Sequence, residues 1–175
     1  MRASYRSPLG EMILESSQGA LVWLGFRWHY QQPCAQVPLT NSTFLANSPT
    51  LNNPTKDPII TQTMRWLDVY FSGEIPRFSP PIALRGSAFQ QCVWEIVRGI
   101  GYGEVRSYGE LAAQVASRMG MNACAQAVGG ALKRNPMVLI VPCHRIICAN
   151  GALGGYVAGE SIKHALLQLE NESRL

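Results

Sequence analysis

Apolar positions in the first 27 residues fall into two short clusters, Met12–Leu14 and Leu21–Phe26, with turn signals at Pro8-Leu9-Gly10 and Gln18-Gly19. That spacing predicts a β-meander over residues 2–27. The pattern then vanishes from 31 to 57, where Pro33, Pro38, Pro49 and Pro54 occur among four asparagines. We read this stretch as a long loop. Asp57-Pro58 opens a helix to about Phe71, and Gly73 ends it. The proline-rich strip Pro76 to Pro81 reads as a linker between two domains, 1–80 and 85–175. Beyond it, Ser87-Ala88-Phe89-Gln90 is a capping box, followed by Phe89, Val93, Ile96 and Val97 at helical spacing. Gly99, Gly101 and Gly103 mark a tight loop, and Ser107-Tyr108-Gly109-Glu110 is a second capping box opening a helix to about Ala116. A turn near Gly120 leads to a helix over about Asn122 to Leu132, so this pair suggests a helix-turn-helix. Asn135-Pro136 stops the second helix. Met137 to Pro142 is then a short buried strand or extended segment, and a last helix runs from about Gly159 to Asn171 with Ile162, Leu166 and Leu169 as its apolar stripe.

Composition narrows the function classes. Of 175 residues, 47% are hydrophobic and 15% charged, which is a globular balance and excludes a disordered chain. No run reaches the length of a membrane span, and the N-terminus lacks an apolar export segment, so a cytoplasmic protein without a membrane partner is expected. Five cysteines, an odd number without an export signal, read as thiols rather than disulfides. Between Arg98 and Arg145, six basic residues face two acids, a surplus equal to the net charge of +4 of the whole chain. Such a local excess suits a phosphate backbone, although charge alone equally describes a solvated face.

Chemistry concentrates at Pro142-Cys143-His144-Arg145. A histidine can accept a thiol proton, and nearby positive charge favours the thiolate, the reactive form. Neighbours in an extended chain point to opposite sides, so His144 assists Cys143 only if the chain bends or a water bridges them. A buried structural cysteine is the bland alternative. A zinc site from Cys143, His144 and Cys148 is a third, though it lacks the two-plus-two pairing of structural sites, and no metal is expected. His29 and Cys34 offer only two further ligands. Glu170, one turn after Leu166, stands on the shoulder of the last apolar stripe, where it is either solvated or the partner that orients His144. The helix around Ala125-Gln126-Ala127-Val128-Gly129-Gly130 carries small side chains, and each interior glycine costs about 1 kcal/mol against alanine. Close helix packing or entry into a narrow groove would account for them, and Lys133 and Arg134 follow at once.

Together, Phe89–Val93, Tyr108–Leu111, Ala127–Ala131, Asn135-Pro136 and above all Val141-Pro142-Cys143-His144-Arg145-Ile146-Ile147 closely resemble O6-alkylguanine-DNA alkyltransferases. The resemblance is nearly continuous from Arg85 to Glu170 and looser over the first 27 residues and Met64–Phe71. It implies an α/β protein, with an N-terminal ribonuclease-H-like domain holding a small antiparallel sheet and a mostly helical C-terminal domain bearing the helix-turn-helix. It implies direct-reversal repair, a single irreversible transfer of an alkyl group from O6-alkylguanine in double-stranded DNA to Cys143. O4-alkylthymine is a second candidate substrate. No cofactor is expected, and the protein is expected to act as a monomer.

The resemblance also implies roles. His144 is a base acting through a water, Glu170 polarises it, Asn135 holds the turn before the active segment, and Tyr108 donates toward N3 of guanine. Gln126, Ala125, Ala127, Gly129, Lys133, Arg134 and Arg145 would face DNA, and Tyr156, Val157 and Met137 would line the alkyl pocket. Two departures stand out. Gln126 occupies a position where the family carries an arginine that fills the gap left by a flipped base, and the stretch between Tyr108 and Gln126 is longer by about four residues. A damage sensor without transferase activity and a cysteine hydrolase are the competing functions. The first is opposed by the presence of Cys143, and the second would turn over and leaves the small-residue helix without a role.

Overall fold

The computed structural model describes residues 1–30 and 56–172. The expected loop at 31–57 therefore lies, up to residue 55, outside the described residues, as does Cys34. Three strands, β1 (Arg2–Ser7), β2 (Gly10–Ser17) and β3 (Ala20–Phe26), form an antiparallel sheet in the order β1-β2-β3. The two-residue hairpin between Ser17 and Ala20 uses Gln18 and Gly19, both with positive φ (52° and 76°). That backbone twist matches the strands it joins. A short α1 (Arg27–Tyr30) follows β3.

Helix α2 (Pro58–Phe71) begins where the Asp57 side chain accepts from the Ile59 and Ile60 amides. It buries Ile59, Ile60, Thr63, Trp66, Leu67 and Tyr70, one face at helical spacing, and packs on the sheet. The Pro76–Pro81 strip has no regular structure, but its end docks on β3: Leu21 N donates to Pro81 O at 2.8 Å and Ala83 N to Leu21 O at 2.9 Å. A second segment docks on the same strand. Leu24 N donates to Pro136 O at 2.9 Å and Val138 N to Leu24 O at 2.8 Å. One continuous buried cluster accordingly runs from Met12 and Phe26 through Leu67 and Trp94 to Val141 and Leu166.

Helices α3 (Ala88–Arg98) and α4 (Tyr108–Met119) both start with complete capping boxes, at Ser87/Gln90 and Ser107/Glu110. Helix α4 ends on Gly120 in the left-handed region (φ 63°), a conformation that suits glycine. It runs three residues past the expected Ala116, and α5 (Ala125–Leu132) starts three residues after the expected Asn122. Cys124, the N-cap, is extended (φ −116°, ψ 159°) and makes no side-chain cap bond, so the chain is not helical before Ala125. The three helices pack on one another, and Trp94 Nε1 donates to Ala131 O at 3.0 Å. No helix among the described residues is long and apolar enough to cross a membrane.

Two expectations need correction. Met137 to Pro142 is not a continuous strand. After bridging Leu24, the chain reverses through Leu139 (φ 74°), Val138 bridges Val141, and Val141 N donates to Met137 O at 2.8 Å. A leucine in the left-handed region costs about 1–2 kcal/mol. Burial of Leu139 in the core offsets it. The last helix, α6 (Glu160–Glu172), does not centre its buried face on Ile162, Leu166 and Leu169. Its buried residues are Lys163, Leu166 and Glu170. Two ionisable side chains thus occupy the middle of an interior face, and each needs partners.

Candidate active site

The turn at Leu139 redirects the chain so that Pro142 enters a single 3-10 turn, Cys143–Arg145. This is the bend that the extended reading lacked. It is followed by β5 (Ile146–Ile147), which pairs in parallel with β4 (Arg106–Ser107), the lead-in to Tyr108. Cys143, His144 and Arg145 are all buried, with Cys143 4% and His144 0% exposed.

Asn135 holds the turn from inside. Its Oδ1 accepts from Met137 N at 2.9 Å, and its Nδ2 donates to Val141 O at 2.9 Å and to Cys143 Sγ at 3.1 Å. One buried amide therefore both closes the turn and supplies a donor to the sulfur. Burial pushes the Cys143 thiol up to about 11, against the Asn135 hydrogen bond and the Lys163 charge, which favour the thiolate. Burial likewise lowers the pKa of His144, opposed by Glu170. The resting pair is thus a neutral thiol and a neutral imidazole.

Glu170 is fully buried, which excludes a solvated carboxylate. His144 Nε2 lies 2.8 Å from Glu170 Oε1. A carboxylate that only accepts fixes Nε2 as the protonated nitrogen, so the lone pair of the neutral ring is on Nδ1. Burial alone would raise the Glu170 carboxyl, but hydrogen bonds from His144 and Arg145 outweigh it and hold the group well below the usual carboxylate range. Arg145 reaches both oxygens at 2.8 Å and donates to Ile100 O at 2.6 Å. Tyr70 donates its hydroxyl to Glu170 Oε1 at 2.7 Å, and Gly103 N donates to Oε2 at 3.0 Å.

Arg145 is a correction. It was expected to face DNA, yet it is 7% exposed and its guanidinium is spent on Glu170 and a backbone carbonyl. A buried carboxylate without a cation would be too costly, and Arg145 is the cation that satisfies it. Met137, expected in the pocket lining, is fully buried: its side chain belongs to the core, and its backbone bridges Leu24.

Other expected residues do gather near the turn. Tyr108, at the start of α4, donates its hydroxyl to Gly155 O at 3.1 Å. Its pKa is raised by burial and by the charges that Cys148 and Cys143 would carry. Gly154 has φ +67°, and a Cβ there would sit 3.1 Å from Cys148 Sγ and 3.2 Å from the Tyr108 ring, so only glycine lets this loop approach. Tyr156 meets the His144 ring edge-on with centroids 6.2 Å apart, and Val157 follows it half-buried. On α5, Ala125, Gln126 and Ala127 are exposed, as are Lys133 and Arg134 beyond it. A Cβ on Gly129 would make only ordinary contact with Tyr108, at 3.8 Å, and one on Gly130 would meet nothing within 4 Å. Close helix packing therefore does not account for the two glycines. Arg118 is exposed and paired with Glu95 at 2.7 Å.

Two residues escaped sequence reasoning. Tyr70 looked like one more aromatic in the apolar face of α2. Lys163 donates from Nζ to Ile146 O at 2.5 Å and to Leu153 O, and lies 5.9 Å from the centre of the Tyr108 ring. Its signal was available: it precedes Leu166 by three positions and Glu170 by seven, on one helix face. No group of three or more metal-ligating side chains occurs among the described residues.

Comparison with known proteins gives a consistent picture. The family model for the 6-O-methylguanine DNA methyltransferase DNA-binding domain matches residues 88–172. A methylated-DNA–protein-cysteine methyltransferase of Methanosarcina acetivorans is 36% identical over 168 residues, covering 96% of this chain and 96% of that protein. One of Mycobacterium bovis is 44% identical over 135 residues, 75% of this chain and 79% of its own length. The crystal structure of Mycobacterium tuberculosis OGT in complex with DNA superposes with a TM-score of 0.74 at 35% identity, covering 98% of this chain and 93% of that one.

Proposed function

Because the chain belongs to the methylated-DNA–protein-cysteine methyltransferase family, we propose that Cys143 is the alkyl-accepting residue of its repair reaction and that His144, Glu170 and Asn135 prepare it. The protein is a direct-reversal DNA-repair transferase, which takes an alkyl group from the O6 position of guanine in DNA onto one of its own cysteines. The observation that carries the assignment is the environment of one sulfur: a donor from Asn135 at 3.1 Å, beside an imidazole whose Nε2 is committed to Glu170.

In this reading the thiol proton passes to His144 Nδ1, through a water, and Glu170 stabilises the imidazolium. The thiolate then attacks the alkyl carbon, the carbon–O6 bond breaks, and guanine leaves with the electron pair. Tyr108 protonates or hydrogen-bonds that anion. The thioether on Cys143 has no built-in route back. A thiol held near 11 until substrate arrives is protected from stray electrophiles and oxidants, which matters for a residue used once.

The target base must leave the duplex to reach a buried sulfur, at a cost of a few kcal/mol that is smaller for a mispaired base. We assign the exposed small-residue surface of α5 to the DNA groove, with α4 and α5 as a helix-turn-helix, Gln126 at the gap in the base stack, and Lys133 and Arg134 on phosphates. Residues 85–175 act as the DNA-binding and transfer domain, and residues 1–80 as its N-terminal support. Stoichiometry tests the reading. With O6-methylguanine duplex in excess, repair should stop at one base per chain; continued turnover would indicate a hydrolase.

A further inference from the structure

Glu170 is oversubscribed. A carboxylate offers about four lone-pair sites, two on each oxygen. Its Oε1 alone faces three donors, Tyr70 Oη at 2.7 Å, His144 Nε2 at 2.8 Å and an Arg145 amino group at 2.8 Å. Its Oε2 takes the Arg145 Nε and the Gly103 amide. The donor nearest to Oε1 comes from the other half of the chain. Tyr70 is 1% exposed and stands on the last turn of α2. Its ring is fixed by Trp66 (stacked, 5.3 Å), Phe71 (edge-on, 5.3 Å) and Tyr102 (edge-on, 5.8 Å). The phenol is also 3.4 Å from His144 Nε2.

We propose that Tyr70 is a positioning residue that sets how strongly Glu170 holds the proton on His144, so that the N-terminal half of the chain tunes the base of the repair reaction. The inference rests on the Cys143–His144–Glu170 reading above. A tyrosine buried beside a carboxylate stays protonated, so it can only donate to Glu170. Each donor on Oε1 draws charge from the oxygen that faces His144. Tyr70 therefore competes with the imidazole N–H for Oε1, weakening the pull on the imidazolium while fixing where the carboxylate points. The other ionisable groups around the imidazole are Lys163 on α6, Arg145 and Cys143 in its own turn, and Tyr156 on the following loop. None of these but Arg145 donates to Oε1.

Tyr70→Phe in the full chain deletes the hydroxyl and keeps the ring packing. The titration of His144, followed by ¹⁵N resonances of labelled histidine, should shift upward by about one unit, because an opposite charge relieved of one donor favours the charged imidazole more. The acid limb of alkyl transfer from free O6-benzylguanine, which requires no DNA opening, should move the same way. An unchanged His144 midpoint overturns the proposal, whether or not the rate falls, since a packing role alone would slow transfer without moving the titration. If Tyr70→Phe does not fold, 3-fluorotyrosine at position 70, a stronger donor, should shift the midpoint downward; no shift or an upward one overturns the proposal. The histidine titration is independent of transfer, so a protein that shows the shift but never alkylates Cys143 would refute the acceptor reading alone.

Discussion

Replacing Asn135 by alanine removes three hydrogen bonds at one stroke, and each has a separate consequence. Asn135 is fully buried. Its loss strands the Met137 amide and takes a partner from the Val141 carbonyl, both inside a turn closed to solvent. The orphaned Met137 amide costs about 1–3 kcal/mol, and the Val141 carbonyl, which keeps the Cys143 amide at 2.8 Å, loses one bond of about 0.5–1.5 kcal/mol, so the two together should destabilise the protein by roughly 2–4 kcal/mol. Domains of this kind hold about 5–15 kcal/mol in total, so Asn135→Ala should fold but unfold at much lower urea. The third bond bears on chemistry. A donor to a charged acceptor contributes about 1.5–3 kcal/mol, which corresponds to roughly one to two pKa units. The Cys143 thiol, already near 11 through burial, should rise further, leaving about ten- to a hundredfold less thiolate at a given pH. Urea unfolding measures the first effect. The pH dependence of Cys143 alkylation by free O6-benzylguanine, recorded well below the unfolding midpoint, measures the second. A stability loss below about 1 kcal/mol together with a superimposable pH curve would refute the role given to this amide.

Three further predictions follow from other parts of the structure. Tyr108→Phe should slow single-turnover transfer by about ten- to a hundredfold, as expected for one positioned proton donor, and an unchanged rate at saturating DNA would leave it a steric role only. Gln126→Arg should strengthen duplex binding and speed repair of duplex O6-methylguanine while barely affecting free O6-benzylguanine, because a stacking cation aids only the opened duplex. Equal effects on both substrates, or no gain with duplex, would remove Gln126 from the gap. His29, buried against Trp23, has its pKa lowered by burial from 6.5 to about 4. The unfolded chain therefore binds a proton that the folded chain refuses, so this contribution is present above pH 6.5 and is lost as pH falls toward 4, to a maximum of about 3 kcal/mol. His29→Leu should flatten urea stability across that window, and an unchanged slope would contradict it.

The elements were largely legible because local chemistry specifies them. Asp57-Pro58, Ser87/Gln90 and Ser107/Glu110 satisfy the first amides of their helices, and the structure contains all three caps. Cys143, His144, Asn135 and Glu170 were named through the family resemblance. The groups that hold Glu170 in the interior were hidden for a physical reason. Glu170 is buried only because Arg145, Tyr70 and the Gly103 amide converge on it, from positions 25, 100 and 67 residues away. No periodicity along the chain carries such a pairing. Arg145 was misplaced for the same cause: a basic residue in a basic stretch suggests phosphate, whereas the carboxylate that claims it lies on α6. The Met137 to Pro142 run, uniformly apolar, gave no sign of the left-handed Leu139 that reverses it. Apolar runs report burial and not direction.

One sulfur, that of Cys143, receives the alkyl group and keeps it. Incubation of the full chain with duplex DNA containing O6-methylguanine, followed by intact mass and peptide mapping, tests it most directly. The wild-type protein should gain one methyl per chain, located on Cys143, and Cys143→Ser, which should still bind the duplex, should gain none. A methyl on Cys124 or Cys148, or repair of the DNA with no adduct on the protein, would contradict it.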